Sequence, residues 1–223
     1  MKERTVPAPA VMPGDRVAWR AELNRSNFVN TFRQYEDIRS CGAARSVLII
    51  GPGQGLDTAV LRWTGYEVTT FDIDETFAPD VVGSVHDLSM FRNGQFDVVT
   101  ASHVLEHLAV PYLDGALAEL ARVARYAIVY LPVHGRKIQF RLRPGFRDLD
   151  LSWTLDLFNY LHKPDGVTPR YAQGHHFWEI GMRGFRVGDL LRRFAPLFDL
   201  QRHYRNADWA VSHNFVLRSR QHA

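Results

Sequence analysis

Cysteine is nearly absent from this chain of 223 residues: Cys41 stands alone. An intrachain disulfide and a cysteine-ligated metal cluster are thereby excluded. Long apolar runs are missing as well, so no segment reaches the length of a membrane-spanning helix. The opening residues, Lys2, Glu3 and Arg4 and then Pro7, Pro9 and Pro13, lack the apolar stretch of a secretory signal. A cytoplasmic protein is expected. Neither sign of charge dominates: 27 Lys and Arg face 24 Asp and Glu, a formal charge of +3, which gives little reason to expect nucleic acid as a partner. Internal repeats and low-complexity tracts are also lacking.

What is present is an ordinary soluble composition, 46% hydrophobic and 23% charged, with enough apolar residues for a sizeable core. The most informative stretch runs from 46 to 61. Val47, Leu48, Ile49 and Ile50 form an unbroken apolar run, the pattern of a strand covered on both faces. Gly51, Gly53 and Gly55 follow, and glycine permits positive φ and close approach of a ligand to the main chain. Leu56, Ala59, Val60 and Trp63 then recur at helical spacing. Strand, glycine turn and helix make the entry unit of a nucleotide-type α/β fold. Further strands are expected at Tyr66 to Asp72, Val81–Val82, Phe96 to Ala101 and Tyr126 to Val133, with a helix through Leu117, Leu120, Ala121 and Ala124. Strands and helices in alternation predict a Rossmann-like, doubly wound sheet, mostly parallel. A helix from Val187 to Phe194 and an antiparallel pair, Phe198 to Tyr204 and Trp209 to Leu217, close it.

The reading is a single domain in four parts. Residues 1–44 are an arm and a cover helix, 45–134 a ligand-binding core, 135–184 an insertion and 185–223 the closing helix and strands. The insertion is rich in aromatics and in proline and glycine breakers. It is expected to act as a lid, partly helical around 149–161.

The glycine loop alone is a weak signal, but Asp72 ends the next strand about 20 residues on, where an acid can accept from ribose hydroxyls. The spacing Gly-x-Gly-x-Gly differs from that of dinucleotide enzymes, and the lysine of a Walker loop is absent. Together with Val-Leu-Ile-Ile-Gly-Pro-Gly-Gln-Gly (47–55), the stretches Thr-Thr-Phe-Asp-Ile-Asp (69–74), Val-Gly-Ser-Val-His-Asp-Leu (82–88), Gln-Phe-Asp-Val-Val-Thr-Ala-Ser-His-Val-Leu-Glu-His-Leu (95–108) and Glu-Leu-Ala-Arg-Val-Ala-Arg (119–125) resemble the class I S-adenosylmethionine-dependent methyltransferases, in particular the bacterial small-molecule type. The resemblance implies S-adenosyl-L-methionine as cofactor and S-adenosyl-L-homocysteine as product. It implies that Gly51, Gly53 and Gly55 pass beneath the methionine part, that Asp72 holds the ribose with Ile73 beside it, that Ser84, Val85, His86 and Asp87 flank the adenine, and that Ala101 and Ser102 border the methionine end. The family usually has an acid two residues before the first glycine, and this chain has Ile49 there. Asp57 is placed to compensate, although an acid in a helix's first turn is also favoured by the macrodipole.

Ten histidines supply candidate bases. His103 and His107 stand four apart on the helix expected after the fourth strand and so share one face, His134 follows the fifth, and His175 and His176 lie in Gly-His-His-Phe-Trp-Glu (174–179). The candidates for catalysis are His103, His107, His134 and His176, because imidazole titrates near neutrality. Tyr171, His175, Trp178 and Glu179 are the candidates for binding the acceptor. Histidines at i and i+4 with a lid acid have the makings of a metal site, but nothing in the spacing demands one and no metal is assigned. The basic stretch Arg136, Lys137, Arg141, Arg143 and Arg147 points to an anionic small-molecule acceptor. The leading expectation is methyl transfer to oxygen of a small molecule. The alternatives are an S-adenosyl ligand-binding protein without turnover and, less favoured, a nicotinamide oxidoreductase. The sequence leaves the oligomeric state open.

Overall fold

A computed structural model describes residues 24–142, 151–157, 163–169 and 175–222. Helix α1 (Arg25–Ser40) leads into β1 (Ser46–Ile50), α2 (Leu56–Trp63), β2 (Glu67–Asp72), the short β3 (Val81–Val82), β4 (Phe96–Ser102), α3 (Val110–Val123) and β5 (Ala124–Pro132). A hairpin of β6 (Arg136–Leu142) and β7 (Leu151–Leu157) follows, then α4 (Val187–Phe194), β8 (Phe198–Arg205) and β9 (Ser212–Ser219). Seven strands form one sheet in the order β3-β2-β1-β4-β5-β9-β8. The pairs from β3 through β5 are parallel, and β9 runs antiparallel between β5 and β8. This is the Rossmann-like arrangement that the alternation of apolar runs predicts.

The apolar run of β1 explains its place. Val47 and Ile49 face one layer with Ile38, Leu61 and Ile128, while Leu48 and Ile50 face the other with Leu113, Leu117 and Leu120. A strand buried on both faces needs no polar alternation. Asp37 fastens α1 to the sheet. Its fully buried carboxylate accepts from the Tyr130 and Tyr204 hydroxyls at 2.5 and 2.9 Å and pairs with Arg202.

Register sets the functional edge. Ile50 pairs with Phe71 on one side and Ala101 on the other, so Gly51, Asp72 and Ser102 emerge side by side. The Gly51 N–H donates to the Phe71 carbonyl at 2.8 Å, which holds the turn against β2. The connections leave β1 in opposite directions at this point, and such switch points open the crevice in which α/β sheets bind ligands.

Three local expectations need correction. Residues 151–157 are not helical but form β7, paired from Leu151↔Leu142 to Leu157↔Arg136. Their alternation of Leu151, Trp153, Leu155 and Leu157 with Ser152, Thr154 and Asp156 has the period of a strand. Trp63 does not belong to the buried face of α2: it is 86% exposed, and Asp57, Thr58 and Leu61 turn inward instead. His103 and His107 do not share an α-helix. His103 is a left-handed residue with φ +56° directly after β4, and Leu105–His107 is one 3-10 turn.

Candidate active site

The glycine turn forms the floor of the crevice. Gly51, Gly53 and Gly55 take φ of +70°, +51° and +78°, a region that residues with a Cβ rarely adopt. At Gly51 space is limiting too, since an added Cβ would stand 2.6 Å from Val104 Cγ2. Two cavities meet there, sharing Gly51 and His107. The narrower, about 70 Å³, is lined by Asp72, Ile73, Ser84, Val85, Val104 and Leu108 among others. The larger, about 370 Å³, runs past Pro52, Gly53 and Gln54 to Ser102, His103, His176 and Trp209.

Of the residues expected at the cofactor, the structure gathers Gly51, Gly53, Asp72, Ile73, Ser84, Val85 and Ser102 along these cavities. Asp72 also accepts the Asp74 N–H at 2.9 Å, which orients its carboxylate at the strand end. His86 and Asp87 lie elsewhere. The His86 ring packs on Tyr112 at 4.9 Å, and both residues face the surface near Glu119 and Arg122. Their chain doubles back at the 84–87 turn, closed by the Asp87 N–H on the Ser84 carbonyl, which sends alternate residues outward. Ala101 is buried in the core and supports Ser102 from below.

Helix α1 roofs the larger cavity with Asn27, Asn30, Thr31 and Gln34. Asn30 Nδ2 donates to Ser102 Oγ at 2.8 Å, and Asn27 donates to Gln54 across the glycine turn. Motif spacing cannot find these residues, because a polar residue on an amphipathic helix looks the same whether it faces a ligand or water. Asp57 is a buried wall of the same cavity. It accepts the Thr58 N–H at 2.7 Å, and burial pushes its carboxyl up to about 6. A carboxylate near the glycine turn is thus present although position 49 is isoleucine.

The far wall is a cluster of histidines around Glu106, whose side chain is 0% exposed. His103 Nδ1, His176 Nε2 and His107 Nε2 stand 3.6, 3.9 and 4.0 Å from Glu106 Oε1. Burial raises the Glu106 pKa, but the three imidazoles outweigh it and hold the carboxyl below its ordinary range. Burial drives the His107 imidazole down, so it is neutral at pH 7. His107 Nδ1 bonds the His175 carbonyl at 2.9 Å, and His103 Nε2 bonds Ser212 Oγ at 3.1 Å. Glu179 bridges His176 to one further ring, with His134 Nδ1 and His176 Nδ1 each 2.7 Å from its oxygens. Glu106 was the residue that sequence reading passed over. Its signal lay in the Leu105-Glu106-His107 run, whose glutamate reads as a solvent-facing helix residue until the 3-10 turn points it inward.

The acceptor-side residues divide. His175 and His176 line the larger cavity, whereas Glu179 is occupied with its two histidines. Trp178 is a core residue: it is 0% exposed, stacks on Phe185 at 4.8 Å and donates from its indole N–H to the Leu108 carbonyl. Its place is therefore structural and not on the cavity wall. Tyr171 lies outside the described residues, as do Arg143 and Arg147. The rest of the basic stretch is largely spoken for. Arg141 pairs with Asp208 at 2.5 Å, and Lys137 Nζ donates to the Val133 and Gly135 carbonyls.

Comparison with known proteins agrees with this geometry. Residues 48–127 match the family described as methyltransferase domain. A curated relative, ribosomal RNA small subunit methyltransferase A of Cutibacterium acnes, is 37% identical over 83 residues, 35% of this chain. The chain spans only 28% of that relative's length. Among solved structures, the sugar N-methyltransferase KedS8 from a Streptoalloteichus species aligns over 99% of this chain and 98% of its own, with TM-score 0.58 and 14% identity. The N-methyltransferase NodS from Bradyrhizobium japonicum, solved with S-adenosyl-L-homocysteine, aligns over 91% of both chains, with TM-score 0.57 and 11% identity. Likeness at that identity speaks for the fold. No helix among the described residues is long and apolar enough to cross a membrane. The sheet order is that of the methyltransferase structures it resembles, and residues 48–127 within it match the methyltransferase domain family.

Proposed function

We propose that this protein is an S-adenosylmethionine-dependent methyltransferase acting on a small molecule, with oxygen as the acceptor atom. The observation that carries the reading is the pair of cavities meeting at Gly51, one ending on Asp72 and the other on the histidine cluster. The residues suit an adenosyl sulfonium. Asp72 offers a carboxylate for ribose hydroxyls, Ile73 and Val85 an apolar seat for the base, and Asp57 with Gln54 and Asn30 a polar end for the amino acid part. The bound cofactor would supply a methyl group on positively charged sulfur, a good electrophile that needs little covalent help.

The chain's own residues have three tasks. The first is to hold the acceptor in line beside Ser102 and His103, and positioning of this kind is worth up to roughly 7–11 kcal/mol in favourable cases. The second is to keep water out, which α1 and the 175–179 segment favour by closing over the cavity. The third is to remove the acceptor's proton. His103 is the base we favour: it lines the cavity against Trp209, 4.8 Å between ring centroids, its Nε2 has to leave Ser212 Oγ to take the proton, and the Glu106 carboxylate on the Nδ1 side stabilises the imidazolium. His107, His134 and His176 then serve as positioning residues, held by the His175 carbonyl and Glu179. The relatives named as N-methyltransferases and as a ribosomal RNA methyltransferase share the fold or a stretch of 83 residues, neither of which fixes the acceptor.

Calorimetry tests the core of this reading. S-adenosyl-L-homocysteine is expected to bind the protein, and Asp72→Ala to weaken it about 100-fold, on the order of 3 kcal/mol, as loss of hydrogen bonds to a charged group does. Unchanged affinity in the variant would refute the ribose assignment. Absence of binding to the native protein would leave a fold without this cofactor.

A further inference from the structure

Glu106 presents a chemical imbalance that methyl transfer does not require. It is fully buried, and neither carboxylate oxygen has a partner within 3.5 Å, the nearest being His103 Nδ1 at 3.6 Å. A buried carboxylate left in this state is strongly disfavoured unless a positive charge stands against it. Three imidazoles surround it, and two of them, His107 and His176, turn Nε2 toward it while Nδ1 is held on the far side. His107 Nδ1 is bonded to the His175 carbonyl at 2.9 Å and His176 Nδ1 to Glu179 Oε1 at 2.7 Å. Both partners are pure acceptors, so each Nδ1 carries the proton. The Nε2 lone pairs of the two rings are left facing Glu106 Oε1, at 4.0 and 3.9 Å. All three atoms lie within 4.8 Å of one another. With both rings in the neutral Nδ1–H tautomer, three acceptor atoms converge on one point, with His103 Nδ1 3.6 Å from the same Glu106 oxygen.

We propose that Glu106, His107 and His176 form a binding site for one divalent transition-metal ion. Distance supports an ion over a second proton. A charge-assisted bond between imidazolium and carboxylate runs about 2.7–2.9 Å, much shorter than either gap. Ligands about 2.0–2.2 Å from a tetrahedral metal stand about 3.4 Å apart, so each gap is about half an ångström too wide and side-chain rotation must close it on the ion. Two imidazoles and a carboxylate select the zinc, iron, cobalt and manganese group over magnesium or calcium. The outer contacts have the form that ligating histidines commonly show, with the far ring nitrogen given to a carbonyl or a carboxylate. Here those partners are His175 and Glu179, and Glu179 is itself held by His134. His107 and His176 both border the larger cavity, so open coordination positions face the acceptor's seat. Resting on the methyltransferase reading, this narrows the acceptor to molecules with an oxygen that can ligate the ion, whose hydroxyl would then ionise near neutral pH.

The test uses the full chain, freed of metal by a chelator and titrated with Co²⁺ by visible absorption and with Zn²⁺ by calorimetry. One ion per chain is expected. Glu106→Gln and His176→Ala should each weaken binding by about 100-fold or more. Glu179→Gln leaves all three ligands in place and should weaken it by about 10- to 100-fold, as loss of an outer partner does. Binding of S-adenosyl-L-homocysteine to the metal-free protein, and the melting curve of each variant, report separately on the cofactor reading and on folding. A folded protein that takes up neither ion overturns the proposal whatever the nucleoside does. So does uptake that Glu106→Gln and His176→Ala leave unchanged, because the ion then sits elsewhere, for instance at the adjoining His203 and His213. Metal uptake at the expected site without nucleoside binding supports this proposal and sinks the cofactor reading alone.

Discussion

The two walls of the crevice are built on different principles. The wall we assign to the cofactor is made of main chain and strand ends: Gly51 after β1, Asp72 at the end of β2, Ser102 at the end of β4. Its geometry follows from sheet register, with Ile50 paired to Phe71 and Ala101. The wall we assign to the acceptor is made of side chains from segments far apart in sequence. Glu106 and His107 come from a 3-10 turn, His134 from the end of β5, His176 and Glu179 from the insertion, and Ser212 from β9. Hydrogen bonding holds it together, not a ladder of backbone bonds. A fold can keep the first wall constant and vary the second, which is how one scaffold serves many acceptors.

The comparison can be broken at several points. The largest effect is expected at Trp178, which belongs to the core although it lies between the His175–His176 pair and Glu179. Trp178→Ala should cost about 3–5 kcal/mol of stability by chemical denaturation, the usual range for a buried aromatic. A stable variant with a raised KM would return it to the acceptor wall. Next comes the cofactor wall's turn. Gly51→Ala combines a strained φ with the 2.6 Å approach to Val104 and should lose about 1–3 kcal/mol together with most nucleoside affinity. A variant of native stability and affinity would show that the turn tolerates a side chain.

The smallest effect has the sharpest pH signature. The Asp57 pKa is raised to about 6, so the folded protein holds this proton more tightly than the unfolded chain does. The penalty is absent below about pH 4, grows as pH rises through about 6 and is complete above it. Asp57→Asn should therefore stabilise the ligand-free protein by about 1–3 kcal/mol at pH 8 and leave it unchanged at pH 3.5. The same variant should bind S-adenosyl-L-homocysteine more weakly, which marks Asp57 as a carboxylate kept for the ligand. Stabilisation without loss of affinity would make it a mere helix-start acid.

Legibility followed the same division. The cofactor wall is local, and its apolar run, glycine turn and following acid lie within 26 residues of one another in sequence. The strand, turn and helix that open the sheet and the position of Asp72 could be read from that. The acceptor wall was legible only as an excess of histidines. Nothing in the spacing of His103, Glu106, His107 and His176 tells which ring nitrogen faces which oxygen, because the positive φ of His103 and the 3-10 turn after it decide that. His86 and Asp87 show the limit on the other side. They belong to a matching motif, yet a tight turn aims them at the surface. Trp178 and Trp63 show that an aromatic's chemistry does not announce its burial: one is in the core and the other in solvent.

The most direct test of the account is a crystal structure with S-adenosyl-L-homocysteine bound. The ribose hydroxyls are expected on the Asp72 carboxylate, the sulfur above the Gly51–Gly53 turn beside Ser102, and the amino group toward Asp57. A nucleoside seated away from Asp72, or a crevice that stays closed by Val104 and Leu108 at saturating ligand, would contradict it.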